Sequence, residues 1–246
     1  MRKLIVLAVV GLLAQLIDGS LGMAYGVTAT SVLLGFGVPP ATASASVHAA
    51  EVFTTGASGI AHWRQGNICV SLLRRLVLPG VVGGILGAVV LVGLPSEIVR
   101  PIVSVYLLVM GTLILWRAFR RTTPRVGAPR HLTALGLAGG FLDAIGGGGW
   151  GATVTATLLG QGTTPRLTIG SVNLCEFFVT AAISATFFLT IGLDLWPMIA
   201  GLVLGGVLAA PFAAYLTRHV PDQPLMILVG AVIVLLSLRG LVQTVT

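Results

Sequence analysis

Four acidic residues stand inside otherwise apolar stretches of this 246-residue chain: Asp18, Glu51, Asp143 and Glu176. Around the first glutamate, Ser44, His48, Glu51, Thr55, Ser58 and His62 recur at spacings of four, three, four, three and four. On an α-helix that spacing draws one polar stripe along an apolar rod. Asn173, Glu176, Thr180 and Ser184 draw a second stripe at three, four and four. A carboxylate at membrane depth costs roughly 2.5–3.5 kcal/mol on insertion scales, and such residues face a cavity or a partner. Groups of this kind can carry protons or meet a cation. Their structural alternative is hydrogen bonding between helices, and for Asp18 and Asp143 it is capping of a helix that starts nearby.

The two aspartates each open a glycine-rich break. The first reads Asp18-Gly-Ser-Leu-Gly-Met-Ala-Tyr-Gly26, the second Asp143-Ala-Ile-Gly-Gly-Gly-Gly-Trp-Gly151. Four consecutive glycines hold a helix poorly. N–H groups at the start of the half-helix after such a break form a concavity suited to an anion. That makes Gly22, Gly26, Gly147, Gly148, Gly149 and Gly151 candidate backbone donors. Tyr25 and Trp150 occupy matching positions and could wall the cavity, or simply pack in the bundle. His48, matched by Asn173 in the second half, breaks the symmetry beside Glu51 as a candidate substrate ligand or proton relay.

Composition says what must position these groups. The chain is 56% hydrophobic and 9% charged, with a mean hydropathy of +1.03. A soluble domain carries about 25% charged residues, so a water-exposed enzyme is excluded, and so is disorder. What fits is an all-α polytopic membrane protein, multi-pass in the cell (inner) membrane. The net charge of +7 comes from Lys and Arg in loops or near segment ends. It describes contact with lipid headgroups rather than nucleic acid. Cys69 and Cys175 have no metal spacing, and neither a metal site nor a cofactor is expected. Met1 to Leu16 has the look of a signal peptide, but a counterpart later in the chain makes it part of the fold.

That counterpart is a duplication. Asp18–Ala57 aligns with Asp143–Ala182 at a constant offset of 125, with sixteen of forty positions identical. Pro79, Gly83 and Gly87 match Pro197, Gly201 and Gly205 farther on. The sequence therefore reads as a single membrane domain, 1–246, with repeat 1 at 1–119, a basic cytoplasmic linker at 120–130 and repeat 2 at 131–246. Each repeat holds a short apolar run, a break, a second short run and three full spans. Leu4 to Ile17 is about 21 Å long as a helix, short of the roughly 30 Å hydrocarbon core. The break therefore reads as a re-entrant hairpin or a broken helix pair. Spans are expected near 43–62, 76–94, 98–116, 168–189, 198–216 and 225–243. His62 to Arg75 carries three arginines, while the matching Thr190 to Pro197 carries none and has Asp194. Opposite charge bias on matching loops predicts inverted repeats.

With these parts assembled, the chain resembles the TauE/SafE sulfite exporter family (TSUP transporters). The resemblance rests on the two repeats, the breaks ending at Gly26 and Gly151, the prolines Pro40 and Pro165, and the Ser/Thr-rich helices that follow. Asp143 to Gly151 is its closest motif, whereas Leu21-Gly-Met-Ala-Tyr-Gly26 departs from the usual glycine triplet. The resemblance implies secondary transport of a small sulfur-containing anion, such as sulfite, another sulfur oxyanion or a sulfonate. Its partners would be that anion, membrane lipid and a proton co-substrate, and a homo-oligomer is compatible with it. In the combined reading, the breaks with His48 and Asn173 bind the anion. Glu51, Glu176, Asp18 and Asp143 carry protons through alternating access. The alternative is a carrier of divalent metal or another cation, built on the same acids with His48. A serine protease reading of Gly56-Ala-Ser58-Gly59 fails, because Ser58 and His62 share one helix at i, i+4.

Overall fold

The structure is a computed structural model that describes residues 2–119, 129–192, 196–216 and 222–245. The linker from 120 to 128 and Asp194 lie outside the described residues. All the described regular structure is helical. Five helices form the first half: α1 (Arg2–Leu21), α2 (Tyr25–Gly35), α3 (Pro40–Arg64), α4 (Val70–Gly93) and α5 (Ser96–Phe119). The second half has α6 (Leu132–Gly146), a π-helical turn (Gly151–Thr155) running into α7 (Ala156–Gly160), then α8 (Pro165–Ile191), α9 (Trp196–Leu216) and α10 (Asp222–Val245).

Matching positions do matching work. Pro40 and Pro165 each start a long helix in its first turn, where a missing N–H costs nothing. Gly37 (φ 83°) and Gly162 (φ 88°) make the preceding turns. The breaks share a bend at Gly22 (φ 68°) and Gly147 (φ 69°). Two residues on, Gly149 has φ 134° and its counterpart Ala24 has φ 100°. The first break thus keeps a left-handed backbone without the glycine, at a steric cost that alanine bears. Both breaks are shorter than the sequence suggests. Asp18 and Asp143 lie within the last turn of α1 and α6, not beyond it, and α1 reaches about 30 Å.

Val70–Gly93, Ser96–Phe119, Pro165–Ile191 and Trp196–Ala213 are long and apolar enough to cross a membrane. α3 has the length, at 25 residues, but its polar stripe lowers its hydropathy. Arg74, Arg75 and Arg100 stand in the second turns of α4 and α5, near the segment ends. The outer faces show large apolar side chains such as Leu86, Val109, Leu208 and Leu235, while Asp18, His48, Glu51, Asp143, Asn173 and Glu176 are buried inside. Lipid tails make that arrangement stable, since they are as apolar as the exposed side chains.

Close approaches at glycines define the helix directions. A Cβ on Gly59 would meet Leu174 and one on Gly56 would meet Phe177, so α3 and α8 cross antiparallel. Gly111 faces Ile233 and Gly240 faces Ser104, so α5 and α10 do the same. α1 runs parallel to α9, with Gly11 at Leu202 and Gly19 at Ala213. α4 runs parallel to α6, with Gly83 at Leu137 and Gly87 at Phe141. Each half therefore lays its next-to-last helix against the other half's first. These contacts also shift one sequence match by about two helical turns. Gly80 packs on Trp150 and Val179 and Gly206 on their counterparts Tyr25 and Thr54, so Gly80 and Gly206 hold equivalent places, whereas Gly83 and Gly201 do not.

Candidate functional site

The ends of α1 and α6, the two breaks, and the middles of α3 and α8 meet inside the bundle. Asp18, His48, Glu51, Asp143, Asn173 and Glu176 are each at most 4% exposed. These acids therefore gather at one centre, and the charges of Asp18, Glu51 and Asp143 all reach Glu176.

The aspartates hold equivalent posts. Asp143 Oδ1 accepts the Trp150 N–H at 2.8 Å, and Asp18 Oδ1 faces the Tyr25 N–H at 3.5 Å. Each carboxylate thus reaches across its own break to the first N–H of the next helical segment, which is the capping role. Beyond that the halves differ. Asp143 Oδ2 lies 3.3 Å from His48 Nε2, and Glu51 Oε2 stands 4.0 Å from the same nitrogen. His48 Nδ1 lies 2.8 Å from the Ser44 carbonyl. A carbonyl can only accept, so Nδ1 carries a hydrogen and Nε2 faces the acids. A bond from Nε2 to Asp143 then needs one further proton, held by the ring or by the carboxyl. In the second half Asn173 takes the place of His48, and its Nδ2 turns to the Ile169 carbonyl at 3.4 Å.

Several buried polar atoms here have no hydrogen-bond partner: Asp18 Oδ2, Glu51 Oε2, Asn173 Oδ1 and Glu176 Oε2. Buried polar atoms in folded proteins are nearly always paired, so this set is an exception gathered at one place. Among the described residues, no three His, Cys, Asp or Glu side chains converge as a metal ligand set.

The breaks touch each other. Gly26 is packed on Gly148, where a Cβ would come within 2.5 Å of the Gly148 Cα and 2.7 Å of Glu51 Oε1. Thr155 Oγ1 donates to the Gly22 carbonyl at 2.9 Å, and its counterpart Thr30 Oγ1 donates to the Gly147 carbonyl. Gly22 and Gly147 are themselves counterparts, so each half ties down the other's break with the same bond.

A polytopic bundle with acids, a histidine and two interlocked breaks at its centre is the build of a carrier, and sequence comparison decides which. Residues 7–240 match the family Sulfite exporter TauE/SafE. The chain belongs to the TauE/SafE family. A relative from Bacillus subtilis (strain 168), named probable membrane transporter protein YtnM, is 44% identical over 253 residues, covering 99% of this chain and 84% of the relative. No solved structure matches. This TauE/SafE protein is a multi-pass membrane transporter and not an enzyme.

Other flagged residues of the TauE/SafE chain sit differently. Trp150 and Tyr25 are packed in the bundle, with Trp150 Nε1 donating to Val172 O at 3.3 Å and Tyr25 Oη to Leu202 O at 3.2 Å. His62, at the far end of the α3 stripe, leaves the centre for Asn67, whose Nδ2 is 3.2 Å from its Nδ1. Three residues at the breaks were not singled out in the sequence. Thr30 and Thr155 could have been, as identical polar residues at offset 125. Tyr106 of α5 could not. Its hydroxyl donates to Gly148 O at 3.2 Å and its ring fills the space left by Gly146 and Gly149, a contact that nothing local announces.

Proposed function

We propose that this transporter carries a small sulfur-containing oxyanion, sulfite or a sulfonate, together with protons, by alternating access between two inverted repeats, 1–119 and 131–246. The observation that carries the reading is the shared centre, where four carboxylates and one histidine meet both breaks and both glutamates keep an unpartnered oxygen. Four negative charges in a dry site with one histidine repel strongly, so the centre holds protons. A protonated carboxyl is a donor, which removes the conflict between an acidic site and an anionic substrate. Glu51 and Glu176, protonated, offer O–H groups to the anion. His48, Asn173 and backbone N–H groups at the starts of the half-helices, around Gly26 and Gly151, complete the donor set. Release of the anion then leaves the carboxyls free to lose their protons on the opposite side.

The antiparallel crossings of α3 with α8 and of α5 with α10 support inverted repeats, since these are matching helices of the two halves. The α1–α2 segment then enters the membrane and returns, and three spans follow, an odd number that reverses the second half. The paired Thr30 and Thr155 bonds would be the contacts remade as the halves move.

The test is stabilisation of the purified protein by sulfite, sulfonates and control anions at two pH values, followed by uptake of labelled sulfite into proteoliposomes. Greater stabilisation at the lower pH is expected, because binding takes up protons. The same cluster of carboxylates favours one second reading, a divalent-cation carrier. Stabilisation by divalent metal with none by any anion selects that reading.

A further inference from the structure

A cleft separate from the centre lies where α2 ends against α5 and α10. It is lined by Ser31, Leu34, Arg100, Ser104, Ser237 and Gly240, among others. Leu34 lies eight residues beyond Gly26 on α2, so the cleft is about 12 Å along that helix from the central acids. Four features give it a chemistry. Arg100 is half-buried and forms no ion pair among the described residues. Its one hydrogen bond there is a long 3.5 Å contact from Nη2 to Leu34 O. Ser237 is 3% exposed and its Oγ has no protein partner. Gly240 keeps the space beside Ser104 open, since a Cβ there would stand 3.0 Å from Ser104 Oγ. No acidic side chain lines the cleft.

A simpler role for Arg100 is to cap the carbonyl end of α2. The duplication argues against that as the whole explanation. At the matching end of the second half, Met226 stands for Arg100, Gly230 for Ser104, Gly111 for Ser237 and Ala156 for Ser31. α7 ends at Gly160 without a basic cap. Every donor of the cleft is missing there, which is how a site present at one mouth would look.

We infer that Arg100, Ser104 and Ser237 form a second binding site for a small oxyanion, a station between one mouth of the transporter and the central site. Arg100 supplies the positive charge and a planar fork of donors, and the two hydroxyls supply O–H donors. By the helix directions this mouth lies on the side where α2 ends and α3 begins, opposite the α3–α4 connection with Arg64, Arg74 and Arg75 on its flanking helix ends. The inference rests on the oxyanion-transport reading and adds a place on the path and a sidedness to it.

The experiment is a sulfite titration of the full-length protein by thermal shift, in nanodiscs of zwitterionic lipid and again with phosphatidylglycerol. The variants are Arg100→Gln, Arg100→Lys, Ser237→Ala and the double variant Glu51→Gln/Glu176→Gln. The wild type should show a binding component that weakens about tenfold or more in Arg100→Gln, as expected for loss of a charge-assisted bond. It should weaken less in Arg100→Lys and Ser237→Ala and persist in the glutamate double variant. If Arg100→Gln lowers the midpoint without anion but leaves the half-saturating sulfite concentration unchanged, Arg100 is a cap and the inference falls while the transport reading stands. If Arg100→Gln loses only stabilisation by phosphatidylglycerol, the cleft holds a lipid headgroup and the inference also falls. If no anion stabilises the wild type, both fall.

Discussion

His48 Nε2 lies 3.3 Å from Asp143 Oδ2, which joins the polar helix of the first half to the break of the second. Ser44, one turn before His48, donates its hydroxyl to the Ala144 carbonyl at 2.7 Å. α3 is therefore fastened to the end of α6 at two points one turn apart. Asn173 in place of His48 gives the second half no equivalent imidazole, so the centre is symmetric in its acids and asymmetric in its histidine.

Asp143 has two separable jobs. Asp143→Asn keeps an oxygen for the Trp150 N–H but loses the acid facing His48. Asp143→Ala loses both. The alanine variant should be less stable by about 1 kcal/mol, the usual worth of a cap, seen as a lower thermal midpoint. The asparagine variant should keep most of that midpoint. Sulfite uptake should fall sharply in both.

His48→Asn gives the first half the residue of the second. The fold already accommodates that pair of helices with Asn173, so the thermal midpoint should change little. Transport should drop at least tenfold, measured as initial uptake of labelled sulfite. Normal uptake would make the histidine a packing residue.

The contact of the two breaks leaves no room for a side chain. Gly26→Ala would drive a Cβ into Gly148 and Glu51, and Gly148→Ala adds a strained φ of 126°. Each should cost roughly 1–3 kcal/mol as overpacking. Gly93→Ala is the control, with nothing within 4 Å of its Cβ. Thermal midpoints of the three variants check the ranking.

Much of this was readable before any coordinates. Continuous apolar runs gave the long helices, and the offset of 125 paired Asp18 with Asp143 and Glu51 with Glu176, because duplication preserves spacing. What escaped depends on contacts between distant segments. Nothing near Tyr106 announces that its ring fills the glycine break, and nothing near His48 names Asp143, 95 residues away, as its partner. Asp18 and Asp143 read as part of the breaks because glycines follow, yet the helices run on through them. In α9 the glycines stand at 201, 205 and 206, so the pair spaced by four imitates Gly83 and Gly87 and hides that Gly206 is the counterpart of Gly80.

Inverted repeats predict that matching loops face opposite sides. Cys69, at the start of α4, is a partly exposed free thiol, whereas Cys175 is buried. The Ser71 hydroxyl beside it, 3.3 Å away, holds the Cys69 thiol below the usual thiol range. More thiolate is then present at neutral pH, and labelling should persist as pH falls slightly below 7. Trp196→Cys, made in a Cys69→Ala background, places a thiol in the matching second-half loop. In oriented vesicles a membrane-impermeant maleimide should reach Cys69 and the residue-196 thiol from opposite faces. Reaction from one face overturns the inversion.

Proton movement driven by a sulfite gradient tests the account most directly. Proteoliposomes loaded with a pH-sensitive dye would be given external sulfite, with protein-free vesicles correcting for leakage of protonated sulfur species. The wild type should acidify the interior as sulfite enters, and Glu51→Gln/Glu176→Gln should abolish that signal while remaining folded. Sulfite uptake without protein-dependent acidification, or an unchanged proton signal in the double variant, would contradict proton-linked transport through the paired glutamates.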